Sequence, residues 1–473
     1  MEIIRNIGLG LLMATSFVSG CSSAANTKQN VKPNIVFVMV DDMGWKDVGF
    51  MGSNYYETPN IDKLSRQGMI FTNAYANAPN CAPTRACLMT GQYTPRHGIY
   101  TVNNPDRGES RYRKLIPAPN TTTLDNSFVT LAETMRSAGY RTGMMGKWHL
   151  GEGTETGPEG QGFDINIGGC HKGHPATYFS PYKNVFIEDG PEGEYLTDRM
   201  TDEALKFIEE SKEEPFFLYL PYYAVHTPIQ PKPDIKNKYT GKPADGKQNN
   251  PAYAAMVETV DAGVGKIMNK LDALRLTKNT VVIFFSDNGG VGGITDMSPL
   301  RGSKGMLYEG GIREPMVVRW PGTIESGTHC DVPVIGIDFY PTFLEIAGIE
   351  KPEELILDGE NILPLFTGGG EFSERAIFWH FPAYLEAGKR LLPDLTWRTT
   401  PVSVIRDGDW KLLEFFEDGH LELYNLKKDI SESNNLAEQM PEQAKSLHKK
   451  LLNWRVKVNA PVPSELNPDY NPE

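Results

Sequence analysis

The sequence predicts an α/β fold: a large N-terminal domain built on a sheet with helices around it, and a smaller C-terminal α+β domain with a short antiparallel sheet and a helix. Three observations predict it. Short unbroken apolar runs rich in β-branched residues recur at 34–40, 216–220 and 280–285, each the length of a strand buried on both faces. Between them, segments 130–139, 195–208 and 253–274 space their apolar residues by three and four, and the first stops at Gly139. From about Pro364 the texture changes to short strand-like runs at 376–379, 402–406, 410–416 and 421–426, with the turn pairs Asp407-Gly408 and Asp418-Gly419, and an amphipathic stretch follows at 441–456.

A chain of 473 residues exceeds what one core usually needs. The expected division is a leader at 1–20, a tether at 21–32, the large domain at 33–363 and the smaller one at 364–473. Arg5 followed by the apolar run 7–18 reads as an export signal, too short to span a bilayer. Its end, Val18-Ser19-Gly20-Cys21, is similar to the bacterial lipobox, in which the cysteine is acylated and cleavage falls just before it. That makes Cys21 the expected lipidation site and places the protein in the periplasm or at the cell surface, anchored to a bacterial membrane. A plain signal peptide cut at Ser19-Gly20 is the alternative. Residues 231–250, rich in Pro, Lys and Gly, read as an exposed loop.

With Lys+Arg 47 against Asp+Glu 60, the net charge of -13 excludes a nucleic-acid backbone as the natural partner. An anionic substrate must then be met by a local cluster of positive charge. Five cysteines are present. With Cys21 lipidated and Cys81 used in chemistry, Cys87, Cys170 and Cys330 remain, enough for at most one disulfide.

The most specific string is Cys81-Ala82-Pro83-Thr84-Arg85, continued by Thr90-Gly91. Pro83 suits a first helical turn, so Cys81 is expected at a helix N-terminus, where free N–H groups favour an anion. Asp41-Asp42 and Asp287-Asn288 each follow a predicted strand. Either pair alone reads as turn chemistry; together they offer oxygen ligands at two strand ends of one sheet, which suits a hard divalent cation. Lys147 and His149, two apart on a segment read as extended, are expected to face one pocket. His226 stands at another strand exit, and imidazole is suited to protonating a poor leaving group. Lys304 lies in a glycine-rich stretch, Leu300 to Gly311.

These strings together resemble the sulfatase family of the alkaline-phosphatase superfamily: C-x-P-x-R with its Thr-Gly, G-K-W-H at 146–149, L-R-G-x-K at 300–304 with the following E-G-G, and the closing pattern around Asp409-Trp410-Lys411 and Asn434-Asn435. The resemblance spans nearly the whole mature chain. It implies a central mixed sheet flanked by helices, as in alkaline phosphatase, and oxidation of Cys81 to formylglycine by a maturation enzyme. It assigns Asp41, Asp42, Asp287, Asn288 and the modified Cys81 to a calcium site, with magnesium as the alternative. Arg85, Lys147 and Lys304 would surround the sulfate, His226 would be the general acid with His149 as its rival, and Arg301 is left as structural. A sulfated carbohydrate, cleaved in exo fashion, is the expected substrate. His171 and His174 in a glycine-rich loop, and His380 from the smaller domain, are candidate substrate contacts, as are the aromatics Tyr178, Tyr222, Tyr223 and Trp379. Two other readings stand: a formylglycine-dependent phosphonate or phosphodiester hydrolase, and a surface lipoprotein that only binds sulfated glycans.

Overall fold

Strand β1 (Asn34–Val40) shows why the chain folds as it does: every residue is buried, and alternate side chains enter two different cores. Val36, Val38 and Val40 join one core, while Ile35, Phe37 and Met39 join the other on the opposite face. A sheet covered by helices on both faces needs central strands of this unbroken apolar kind, and burying each such side chain contributes roughly 1.5–3 kcal/mol. This computed structural model describes residues 32–368, 372–388 and 396–471. The expected leader, Cys21 and the tether up to residue 31 lie outside the described residues.

Eight further strands complete the large sheet: β2 (Met69–Tyr75), β3 (Arg141–Met145), β4 (Ile165–Ile167), β5 (Phe216–Pro221), β6 (Thr280–Ser286), β7 (Arg313–Arg319), β8 (Thr328–Cys330) and β9 (Val334–Ile335). Their order is β4-β3-β5-β1-β6-β7-β2-β8, with β9 also on β2. Strands β4, β3, β5, β1 and β6 run parallel, and β7 runs antiparallel to both β6 and β2, so the sheet is mixed. Met39 pairs with Pro221 and Val40 with Ser286, which brings the C-terminal ends of β5, β1 and β6 to one edge. Loops that follow parallel strands converge at such an edge.

The predicted helices appear as Leu131–Ser137, Leu196–Glu210 and Pro251–Ala273. The first carries a complete capping box between Thr130 and Glu133, and the last is capped by the Asn250 side chain. Residues 231–250 depart from the loop expectation: Pro233–Tyr239 is a two-turn helix begun by its proline, with only Tyr239 buried.

After the large sheet come β10 (Ala376–Phe381), the pair β11 (Leu385–Glu386) and β12 (Trp397–Thr399), then β13 (Val402–Asp407), β14 (Trp410–Phe415) and β15 (Leu421–Asn425). Strands β10, β13, β14 and β15 form a four-stranded antiparallel sheet, against which the helix Pro441–Val458 packs. Tyr75 and Ile335 of the large sheet, and Ile312 just before β7, share a core with Trp379, Val404 and Leu447 of this smaller layer. Among the described residues, Cys81, Cys87, Cys170 and Cys330 are all buried free thiols.

Candidate active site

Six segments deliver side chains to the one sheet edge. Asp41 and Asp42 follow β1, Lys147 and His149 follow β3, His226 follows β5, and Asp287 and Asn288 follow β6. Cys81 opens the helix Cys81–Thr90 that follows β2, and Lys304 lies in the loop that enters β7. Asn80, the residue before that helix, gives its side-chain amide to Thr101 instead of capping, so no side chain claims the first N–H groups beside Cys81.

The acids converge. Asp41, Cys81 and Asp287 each present a ligand atom within 4.8 Å of the others, and so do Asp41, Asp42 and His226. Each carboxylate holds one basic group: Lys147 Nζ lies 2.6 Å from Asp41 Oδ2, Lys304 Nζ 2.5 Å from Asp42 Oδ1, and Arg85 NH2 2.7 Å from Asp287 Oδ2. Arg85 NH1 also donates to the Lys147 carbonyl at 2.7 Å, which ties two of the segments together. Asn288 donates its amide to Asp42 Oδ1 at 2.8 Å.

What remains open matters more. Asp41 Oδ1, Asp42 Oδ2 and Asn288 Oδ1 are buried without a hydrogen-bond partner. Burial, helped by repulsion from Asp287 and Asp42, pushes Asp41 well above the usual carboxylate range despite Lys147. Burial acts the same way on Asp42, yet Lys304 and His226 outweigh it and hold that carboxyl down. Oxygen ligands left bare and buried among three carboxylates fit a divalent cation, which both satisfies the atoms and relieves the repulsion.

His226 is set by its neighbour. Its Nδ1–H donates to the Thr227 carbonyl at 2.7 Å, which leaves Nε2 facing Asp42 Oδ2 at 3.6 Å. Burial lowers its pKa to about 3 against the pull of Asp42. The ring of His174 lies parallel to it at 6.0 Å. His149 departs from the extended reading: its φ is +67°, and its N–H donates to the Cys170 carbonyl. Its pKa is pushed well down by burial and by the nearby basic groups. Gly173 lies so close over the ring that a Cβ there would sit 2.4 Å from His149 Cε1, so only glycine lets this loop cover the histidine.

A cavity of about 600 Å³ opens onto these groups and is lined by Cys81, His149, His226, Lys304, His171 and His174, among others. Lys147 and Arg85 do not line it; both are fully enclosed behind the carboxylates they hold. His171 is exposed and paired with Glu152. His380 does not reach the cavity: it is buried in the smaller layer, bonded to Ser403 Oγ at 2.6 Å and the Pro461 carbonyl at 2.8 Å. Tyr178, Tyr222, Tyr223 and Trp379 are core residues, with Tyr178 donating to the Tyr223 and His226 carbonyls and Trp379 to Ala76. Arg301 stacks on Tyr308 and donates to Tyr424, a structural role as expected. Sequence reasoning missed Asn103, Arg107 and Arg398, which line the cavity from loops and a short strand with no local pattern to flag them; Lys172 lines it too, between the expected His171 and His174.

A mixed α/β sheet with an acidic cluster, an N-terminal helix turn and basic groups at one edge defines a hydrolase of anionic esters in the alkaline-phosphatase manner. The chain belongs to the sulfatase family, whose model matches residues 33–349, and is a sulfuric ester hydrolase. A further model, N-sulphoglucosamine sulphohydrolase C-terminal, matches residues 303–457. A sulfatase of Formosa agariphila is 34% identical over 93% of this chain and 92% of its own. N-acetylgalactosamine-6-O-sulfatase of Bacteroides thetaiotaomicron is 29% identical over 93% of this chain and 97% of its own. The solved structure of Ps i-CgsB matches with a TM-score of 0.75 at 31% identity, covering 89% of this chain and 92% of that one.

Proposed function

We propose that the protein is an exo-acting carbohydrate sulfatase whose nucleophile is formylglycine made from Cys81 by a maturation enzyme. The observation that carries this reading is the position of Cys81, at a bare helix start, beside unpartnered acidic oxygens and on the wall of the same cavity as His226 and Lys304. When present, the aldehyde hydrate at this position supplies one hydroxyl to displace the alcohol from sulfur and a second to release sulfate as the aldehyde re-forms. A divalent cation held here, calcium by the resemblance and magnesium as the alternative, would lower the pKa of the nucleophilic hydroxyl and neutralise a sulfate oxygen.

The chain's own residues do the rest. Asp41, Asp42, Asp287 and Asn288 would hold the cation, and Arg85 and Lys147 fix Asp287 and Asp41 from behind. Lys304 meets the sulfate from the cavity wall. His226 delivers a proton from Nε2 to the departing sugar oxygen, because Nδ1 is committed to the Thr227 carbonyl. Its ring is neutral beside Lys304 and Lys147 alone, and an anionic ester against Nε2 favours the charged ring that donates. His149 is the alternative donor. His171 and His174 contact the sugar.

Carbohydrate as substrate is supported by relatives: the Bacteroides thetaiotaomicron protein is named for a sulfated amino sugar, and Ps i-CgsB has been solved with k-i-k-neocarrahexaose. Export and acylation at Cys21 follow from the lipobox-like sequence and put the enzyme where glycans are met outside the cytoplasm. The test compares turnover of aryl sulfate, aryl phosphate diester and sulfated monosaccharides by the purified chain. Sulfate esters are expected to be preferred; phosphate diester rates far above sulfate rates would overturn the reading.

A further inference from the structure

Arg107 and Arg398 are far apart in sequence, yet both line the cavity and Arg398 feels the charge of Arg107. The loop that bears Arg107 is locked onto β11 and β12. The Pro105 carbonyl accepts the Tyr384 N–H at 2.8 Å, and Asp106 forms a bridge with Tyr384. Gly108, at φ +79°, abuts Trp397 so tightly that a Cβ would lie 2.6 Å from the indole. Trp397 in turn packs on Tyr384 at 5.1 Å. The segment bearing Arg107 is therefore fixed by backbone pairing at Tyr384, and Gly108 and the Trp397 indole bring it against the strand that carries Arg398.

Among the described residues neither guanidinium has a carboxylate within ion-pair distance. Arg107 donates to the Val102 carbonyl at 3.1 Å; among the described residues Arg398 donates to the Ala387 and Lys304 carbonyls, both at 3.4 Å. The acids whose charge Arg398 feels are Asp42 and Glu386, and neither lies within ion-pair distance of it; Asp42 is already held by Lys304. Burial, followed by repulsion from Arg107, lowers the Arg398 pKa. Arg107, Lys172, Lys304 and Arg398 line the cavity, and among the described residues no carboxylate does. In a chain of net charge -13, a half-buried pair of arginines without an acid is costly to hold unless an anion arrives. The sulfate to be cleaved is already met by Lys304, so the arginine pair is surplus to it. Arg398 touches the Lys304 backbone, which keeps its guanidinium within reach of the sugar that bears that sulfate or of the next one.

We propose that Arg107 and Arg398 form a second anion subsite, so that the preferred substrate is a glycan carrying another negative group, a second sulfate or a uronate carboxylate, near the sulfate that is removed. The proposal rests on the sulfated-carbohydrate reading above. A planar guanidinium fork matches either group in bidentate fashion.

The experiment titrates the full chain carrying Cys81→Ala, which binds without turnover, with a hexose monosulfate, the same hexose bearing a second sulfate, and a disaccharide joining the sulfated hexose to a uronic acid. Calorimetry is expected to give about 10- to 100-fold tighter binding for one of the doubly anionic sugars, and which one identifies the group. Adding Arg107→Ala or Arg398→Ala is expected to erase that preference, and Arg398→Lys to keep part of it. Equal affinity for singly and doubly charged sugars, a preference that survives both alanine variants, or no binding of either doubly charged sugar would overturn the subsite. The sulfatase reading fails separately, if the wild-type chain releases sulfate from none of these sugars.

Discussion

Two of the buried charge clusters among the described residues differ in one respect. At the sheet edge, Asp41, Asp42 and Asp287 meet Lys147, Lys304 and Arg85, yet Asp41 Oδ1 and Asp42 Oδ2 are left bare. Between the large sheet and the smaller layer, Glu309 and Glu432 meet Lys411, and every carboxylate oxygen has a close donor group, Glu432 Oε1 through its ion pair with Lys411 and not through a hydrogen bond. Lys411 Nζ lies 2.9 Å from Glu309 Oε1 and 2.8 Å from Glu432 Oε1; Tyr75 donates to Glu309 Oε2 and the Glu309 N–H to Glu432 Oε2. Both clusters come from strings that resemble the family pattern, the E-G-G and W-K stretches supplying the second. Buried charge by itself therefore does not mark a site. Bare acidic oxygens facing one another do, because only a ligand satisfies them.

The comparison breaks first at Cys81. Cys81→Ala is expected to lower sulfate release by at least ~10⁴-fold while urea unfolding keeps its midpoint, since the residue supplies the nucleophile and little packing. Near-normal turnover would remove covalent catalysis from the account.

Next, the two clusters should separate stability from activity. Asn288→Ala is expected to lower turnover sharply without loss of fold, because it removes one unpartnered oxygen ligand and breaks no buried ion pair. Lys411→Met leaves Glu309 and Glu432 without their cation and is expected to cost about 3–5 kcal/mol in urea unfolding, with turnover per folded molecule retained. If Lys411→Met silences a chain that still unfolds normally, the second cluster belongs to the chemistry after all.

His226→Ala sharpens the role of the donor. Loss on sugar sulfates is expected to be ~10²–10⁴-fold and on activated aryl sulfates far smaller, since a good leaving group needs no proton. Equal losses would make His226 an orienting residue.

The smallest effect concerns acid stability. His97 and His380 are buried, and burial lowers each from 6.5 to about 3. Below pH 6.5 the unfolded chain takes up protons that the folded chain refuses, so stability falls as pH drops from 6.5 toward 3. Each histidine contributes a slope of ~1.4 kcal/mol per pH unit over that window. His380→Gln is expected to flatten the acid limb of a stability profile by about that slope; an unchanged limb would mean that His380 charges freely in the folded chain.

The central strands were legible because a strand covered on both faces leaves an unbroken apolar run, as at 34–40, and the polar pairs that follow are conspicuous against it. The helix at Pro233–Tyr239 was not, since it buries only Tyr239 and so has no apolar stripe. His380 was misplaced because a histidine bonded to Ser403 and Pro461 looks, in sequence, like one bonded to a ligand. The Lys147/His149 pair was read as extended, whereas the left-handed backbone at His149 turns its ring into the cavity and leaves Lys147 with Asp41. Arg107 and Arg398 had no signal at all: their partnership is made by Gly108 against Trp397, a contact that no local pattern encodes.

Mass spectrometry of the peptide containing residue 81, from protein that is releasing sulfate, tests the account most directly. A mass about 18 Da below that of the cysteine form is predicted, the change from a thiol-bearing carbon to an aldehyde. A plain thiol at that position in fully active protein would contradict it.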